Sequence, residues 1–200
     1  MKRNERRTTD HDVIIIGGGP AGSTCAILLA RAGRNVLVLE KAKFPRFHIG
    51  ESITAFGTEL FKDLGVFEDL KQVNYIRKRG LEFMLHGRSK KLYFPGGDAE
   101  RDEDGHLPWA FQMPRARFDK VMMDHARKNG AVVREEQAVK RVIFEGERSV
   151  GVEWQDLSQG EHGRTHSATA RWIIDASGQD SALNRQLGGN SRTHHLLRKK

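Results

Sequence analysis

Hydrophobic positions follow three patterns along this chain. The first is continuous: Val13-Ile14-Ile15-Ile16 is a short, β-branched apolar run, too short to span a membrane, and it predicts a buried parallel strand. A helix over 23–32 and a second strand over 35–39 follow, the strand leading into Glu40. The second pattern is helical. Ile53, Phe56, Leu60, Phe61 and Leu64 recur at helical spacing behind Ser52, a candidate cap, with Gly65 as the stop and a short turn over 66–70. From Gly80 the period becomes two: Leu81, Phe83 and Leu85 alternate with polar or flexible neighbours, and 91–94 is a further strand candidate. Pro95-Gly96-Gly97 marks a turn, 99–106 an acidic loop, and 109–113 a strand. A helix is predicted over 115–128, with Phe118, Val121, Met122 and Ala126 near one face. Strands over 131–133, 138–144 and 150–154 follow, with a hairpin at Gly146 and a turn over 158–163. Trp172-Ile173-Ile174 reads as buried strand within 169–176, and a short helix over 181–187 comes last.

The order strand, helix, strand, then strand-rich sequence, then a further apolar strand, predicts an α/β fold. Its expected core is a Rossmann-like nucleotide-binding domain with an inserted β-rich segment. The expected organisation is a basic N-terminus (1–10), a βαβ unit with cofactor-side helices (11–80), the β-rich insert (81–113), a continuation of the nucleotide-binding domain (114–190) and a basic tail (191–200).

The first strand opens into Gly17-Gly18-Gly19-Pro20-Ala21-Gly22, which contains GxGxxG. Gly17 permits the tight turn, Gly19 lets backbone approach a pyrophosphate, and Gly22 lets the helix pack closely on the strand. The helix start offers unpaired N–H groups to phosphate oxygens. Glu40 lies 23 residues after Gly17, where a carboxylate accepts hydrogen bonds from an adenosine ribose. That acid disfavours a cofactor with a 2′-phosphate, and it does not separate FAD from NAD.

Composition changes this picture little. The net charge is +8, from 34 Lys and Arg against 26 Asp and Glu, clustered at 2–7, 77–79, 88–91 and 192–200. A solvated basic surface accounts for it, and attraction of anionic substrates, a carrier protein or nucleic acid is the functional alternative. No helix-turn-helix, zinc finger or aromatic-laced basic strip points to nucleic acid. Cys25 is the single cysteine, so no internal disulfide forms, and its place in the first helix suggests a buried small residue. The polar, basic start carries no secretory signal and no stretch reaches the length of a spanning helix, so a cytoplasmic enzyme without membrane attachment is expected. His48 has no metal-ligand spacing around it, His194 and His195 read as tail residues, and Ser177 lacks a nucleophile elbow, so no metal site is expected.

Three separated stretches resemble one family. Lys43 to Ser52, reading KFPRFHIGES, resembles the signature after the second strand of flavin-dependent halogenases, a branch of the FAD enzymes with the p-hydroxybenzoate hydroxylase type of fold. Pro114 to Asp119 resembles the R-x-x-F-D segment of that class, and Trp172 to Ser181, reading WIIDASGQDS, its second FAD-contacting turn. The resemblance implies FAD as cofactor. It matches Gly17, Gly19, Pro20, Ala21 and Gly22 to the pyrophosphate loop, and Glu40 with Lys41 to the ribose end. It places Arg46, His48, Ile49, Gly50, Glu51 and Ser52 along the flavin, Arg115 near the phosphates or ribose, and Asp175 and Gly178 in the later turn. On residues alone, Arg115 also suits a helix-start surface arginine, and Asp175 a strand-end cap.

Tyr75-Ile76-Arg77-Lys78-Arg79-Gly80-Leu81-Glu82-Phe83 resembles the aromatic-x-x-Lys-x-Gly-x-x-Phe stretch of the phenol- and pyrrole-type halogenases, which implies a catalytic role for Lys78. In that chemistry reduced FAD and O₂ give a C4a-hydroperoxide, chloride or bromide attacks its distal oxygen, and the lysine steers or activates the resulting hypohalous acid. Without the resemblance, Arg77-Lys78-Arg79 reads as a solvated turn. The implied partners are a separate flavin reductase that delivers FADH₂, a halide, and an electron-rich aromatic ring, free or on a carrier protein. The later Trp-x-Trp-x-Ile-Pro stretch and the Gly-Asp segment that closes the FAD site are not found; Trp109, Trp154 and Trp172 stand singly. A truncated relative that holds FAD weakly is therefore expected. An FAD monooxygenase, a geranylgeranyl reductase-like enzyme or a non-catalytic FAD-binding remnant are the competing readings.

Overall fold

Pairing of the apolar runs, rather than their order alone, sets the architecture of the computed structural model. It describes residues 9–73, 75–78, 80–93, 110–160, 163–180 and 182–187. In chain order, β1 (His11–Ile16), α1 (Pro20–Arg31) and β2 (Val36–Leu39) come first. Next are β3 (Ser52–Ile53), α2 (Ala55–Asp63), α3 (Phe67–Lys71), β4 (Ile76–Lys78), β5 (Gly80–Leu85), β6 (Arg88–Tyr93) and β7 (Ala110–Gln112). The chain continues through α4 (Arg115–Lys128), β8 (Val132–Arg134), β9 (Gln137–Glu145), β10 (Arg148–Asp156) and β11 (Thr165–Asp175) to a 3₁₀ turn (Gly178–Asp180) and α5 (Ala182–Gln186). The turn expected at 95–97, the loop at 99–106, Trp109 and the basic ends at 2–7 and 192–200 lie outside the described residues.

Two units divide the chain: Met1–Lys43 with Ala126–Lys200, and Phe44–His125. The first holds a six-stranded sheet in the order β8-β2-β1-β11-β10-β9. Its β8, β2, β1 and β11 run parallel, while β11, β10 and β9 form an antiparallel meander. The eleven residues of β11 join the two parts, pairing with β1 through Asp175 and with β10 through Thr165. Val13 to Ile16 are buried on both faces, as a central parallel strand requires. Ile14, Ile16, Leu37, Leu39, Val142, Val152 and Trp154 form one core cluster. Each such side chain contributes about 1.5–3 kcal/mol by leaving water. The hairpin turn at Gly146 takes the left-handed conformation that glycine tolerates, with φ 62°.

The second unit contains a three-stranded antiparallel sheet, β3-β7-β4, and the β5–β6 hairpin. Phe61, Leu64, Val66, Leu70, Met113, Phe118, Met122 and Met123 are buried, and the rings of Phe61 and Phe118 meet edge to face at 5.4 Å. Gly65, at φ 64°, ends the α2 segment as expected.

Several sequence expectations need correction. Ser52 does not cap α2: it lies in β3, and Thr54 occupies the N-cap position without a side-chain hydrogen bond. The helical spacing of Ile53 is therefore accidental, because β7 offers it a ladder partner in Phe111. The first helix begins three residues earlier than expected, because Pro20 at its first turn is preset for helical φ. Trp172 is 68% exposed and Ile173 and Ile174 are half-buried, so that strand is less buried than its composition suggests. Cys25 is half-buried rather than buried.

Candidate functional site

The glycine loop of the first unit is built by close backbone approach. Gly17 sits at φ 100°, and a Cβ there would lie 2.6 Å from the Ala176 carbonyl oxygen. A Cβ on Gly22 would lie 2.0 Å from the Gly17 carbonyl oxygen, so the first turn of α1 is pressed directly against the loop. Gly19 is the N-cap and supplies no capping side chain, and Pro20 follows it. Ser23, buried, turns back to donate to the Gly19 carbonyl at 2.9 Å. An uncapped helix start of this kind presents backbone N–H groups to an anion.

Glu40 is 4% exposed at the end of β2. Its Oε2 accepts from the Gly18 N–H at 2.7 Å and its Oε1 from the Ala42 N–H at 2.9 Å. The carboxylate thus ties the glycine loop to the strand end. Lys41 is exposed beside it, as is Ala21 in the first turn of α1.

The later turn returns to the same loop within this unit: Ala176 N–H donates to the Ile16 carbonyl at 2.9 Å. The Asp175 side chain is spent locally. Its Oδ1 accepts from the Ser177 N–H and hydroxyl at 3.0 and 2.5 Å, and its Oδ2 from the Leu183 N–H at 2.8 Å. Asp175 therefore takes the strand-end cap role that its sequence context also allowed. Gly178 stands in open space at φ 72°.

In the second unit, Arg115 is a buried residue and not a helix-start surface arginine. Its Nε and Nη2 donate to the two oxygens of Asp119 at 2.7 and 2.9 Å, one helical turn on. Asp119 is fully buried and also meets Arg46 Nη1 at 3.2 Å. Arg46 in turn lies 5.0 Å over the Phe44 ring. Arg115 Nη1 reaches the Ile49 and Gly50 carbonyls at 3.5 and 3.4 Å, so the clamp holds the 46–50 loop by its backbone. That loop is exposed at His48, Ile49 and Gly50; His48 Nδ1 lies 2.6 Å from the Ile49 carbonyl oxygen. Asp119 was part of the motif but not of the expected site, and its Arg-to-Asp spacing of four was the available signal. Lys78 ends β4, half-buried, and its Nζ donates to Ser52 Oγ on β3. Glu51 accepts from Gln112 Nε2 at 3.2 Å. The expected residues thus fall in both units: Gly17 to Gly22, Glu40, Lys41, Asp175 and Gly178 in the first, Arg46 to Ser52, Lys78 and Arg115 in the second.

Among the described residues no three His, Cys, Asp or Glu stand together as a metal site, and no helix is long and apolar enough to cross a membrane. The model of the FAD binding domain family matches residues 10–197. The chain belongs to this FAD-binding family. Its cofactor is FAD, which the uncapped start of α1 and buried Glu40 suit. This FAD-binding domain is 36% identical to tryptophan 2-halogenase of Chondromyces crocatus, over 84% of its own length and 30% of the relative's. It is 34% identical to the 1H-pyrrole-2-carbonyl-[peptidyl-carrier protein] chlorinase of Pseudomonas fluorescens, over 90% of its length and 42% of that enzyme. Among solved structures, the myxobacterial chondrochloren halogenase CndH superposes with a TM-score of 0.76 at 35% identity, covering 88% of this chain and 39% of that one. The FAD-binding domain thus spans less than half the length of these relatives.

Proposed function

We propose that this chain is the cofactor-holding part of an FADH₂-dependent halogenase acting on an electron-rich phenol, pyrrole or similar ring. A separate flavin reductase supplies FADH₂, chloride or bromide is the co-substrate, the ring is free or carried on a carrier protein, and the enzyme works in the cytoplasm. Similarity to halogenases over 84% and 90% of the chain supports the class. The observation that carries the chemistry is Lys78, half-buried on β4, whose ammonium is held by Ser52.

In this reading the α1 start, with Gly17, Gly19, Pro20, Ala21 and Gly22, takes the FAD pyrophosphate, and Glu40 accepts the ribose hydroxyls beside Lys41. Arg46, His48, Ile49, Gly50 and Ser52 serve the flavin, and Arg115 acts on it by fixing that loop from Asp119. Asp175 shapes the turn in which Gly178 approaches the cofactor. Bound reduced flavin supplies O₂ activation toward halide. Lys78 donates a hydrogen bond to the oxygen of hypohalous acid, so that oxygen leaves as water while the ring carbon bonds the halogen and then loses its proton. Alternatively the neutral amine takes the halogen from hypohalous acid, whose oxygen leaves as water, and passes it to the ring carbon, whose proton returns to the amine.

The test supplies FADH₂ anaerobically, then oxygen, bromide and a reactive phenol, with products read by mass. Brominated phenol that disappears in Lys78→Ala, with flavin binding retained, is expected. Hydroxylated phenol overturns the reading in favour of a monooxygenase of this fold, and bromination indifferent to Lys78→Ala overturns the role given to Lys78. Flavin-free protein with no product identifies a non-catalytic remnant.

A further inference from the structure

Strand register places the Ser52 hydroxyl beside Lys78, a contact that its place along the flavin does not explain. In β3-β7-β4, Ser52 faces Gln112, Ile76 also faces Gln112, and Lys78 faces Ala110. Directly opposed residues share a face and so do residues two apart, so Ser52, Gln112, Ala110, Ile76 and Lys78 lie on one side. Ile53 and Arg77 lie on the other. The two ends of this diagonal are separated by two strand spacings and two residues of rise, about 12 Å between backbones at roughly 4.8 and 3.4 Å per step. A lysine spans that diagonal when nothing bulky stands beside it, and its facing residue is the small Ala110. The far end is fixed: the Met113 N–H donates to the Glu51 carbonyl at 3.1 Å, and Gln112 Nε2 to the Glu51 carboxylate at 3.2 Å. Lys78 has four rotatable bonds and Ser52 has one, so the serine is the anchor.

We infer that Ser52 is a positioning residue for Lys78, its hydroxyl accepting one N–H of the ammonium and aiming the other two. This rests on the halogenase reading for its purpose, not for its geometry. The hydroxyl can also donate to the amine when the proton has left, so it holds Nζ in place through either form of the proposed chemistry.

Ser52→Thr and Ser52→Val give the decisive pair, because they have nearly the same shape, both suit a strand, and they differ in the hydroxyl. Limiting acetic anhydride at fixed pH labels surface amines, and peptide mass spectrometry reads Lys78 against Lys62 and Lys71. Those two references are held by Glu59 and Glu68 in the same unit. Loss of one hydrogen bond is expected to raise Lys78 labelling about threefold in Ser52→Val, with wild-type labelling in Ser52→Thr. Equal Lys78 labelling in the Thr and Val variants overturns the inference. A rise shared by Lys62 and Lys71 signals loosening of the unit and also overturns it. In the bromination assay, Ser52→Val lowers kcat about tenfold with the phenol KM unchanged, and Ser52→Thr restores it. If labelling responds while Lys78→Ala still brominates, positioning stands and the catalytic role of Lys78 falls.

Discussion

At the residue scale, the Arg115–Asp119–Arg46 clamp has the clearest consequence. Asp119 is fully buried between two guanidinium groups, so Asp119→Ala strands buried Arg115 beside a hole. Removing one partner of a buried pair costs about 3–5 kcal/mol, which urea unfolding measures directly. The spacing of Arg115 and Asp119 was visible in the sequence, and their burial was not, because which helix face turns inward depends on packing from distant segments. Gly17→Ala combines a left-handed φ of 100° with a contact of 2.6 Å to a backbone oxygen. It is expected to destabilise by about 1–3 kcal/mol or more, seen as a lowered Tm. The glycine roles were legible because they are local; the tie from Glu40 to Gly18 was not, because the sequence separates them by 22 residues.

Elements were legible where one period dominates. The β1 run, the α4 span and the Gly146 hairpin emerge as expected, whereas Ser52–Ile53 becomes strand through pairing with a segment near residue 111. The meander β9–β10–β11 also carries the acid sensitivity of the first unit. The backbone N–H of Thr169, then its hydroxyl, hold the Asp10 carboxyl below its ordinary value of 3.8. The Arg141 guanidinium does the same to Glu153, ordinarily 4.5, across β9 and β10, and the Ser158 hydroxyl and N–H to Asp156. Each carboxyl binds its proton more readily unfolded than folded. Their stabilisation is therefore complete above the ordinary values and is lost as pH falls through the lowered ones. Denaturation midpoints are expected to fall in acid below about pH 4, and less steeply in Thr169→Val, which loses the hydroxyl on Asp10. In the same meander Trp154 Nε1 donates to buried Gln137 Oε1 at 2.7 Å, so Trp154→Phe leaves that oxygen unsatisfied at a cost of about 1–3 kcal/mol.

For the whole molecule, the cofactor class was readable in the sequence because its motifs are short and ordered along the chain. The division at Lys43/Phe44 and His125/Ala126 was not, since it follows from which segments pair over long separations. The central claim is that this chain binds FAD through the glycine loop and Glu40. A fluorescence titration of FAD with wild type, Glu40→Gln and Lys78→Ala tests it most directly. The account predicts saturable quenching, affinity about tenfold weaker in Glu40→Gln, which loses the carboxylate charge, and unchanged affinity in Lys78→Ala. Absence of saturable binding, or equal affinity in wild type and Glu40→Gln, would contradict it.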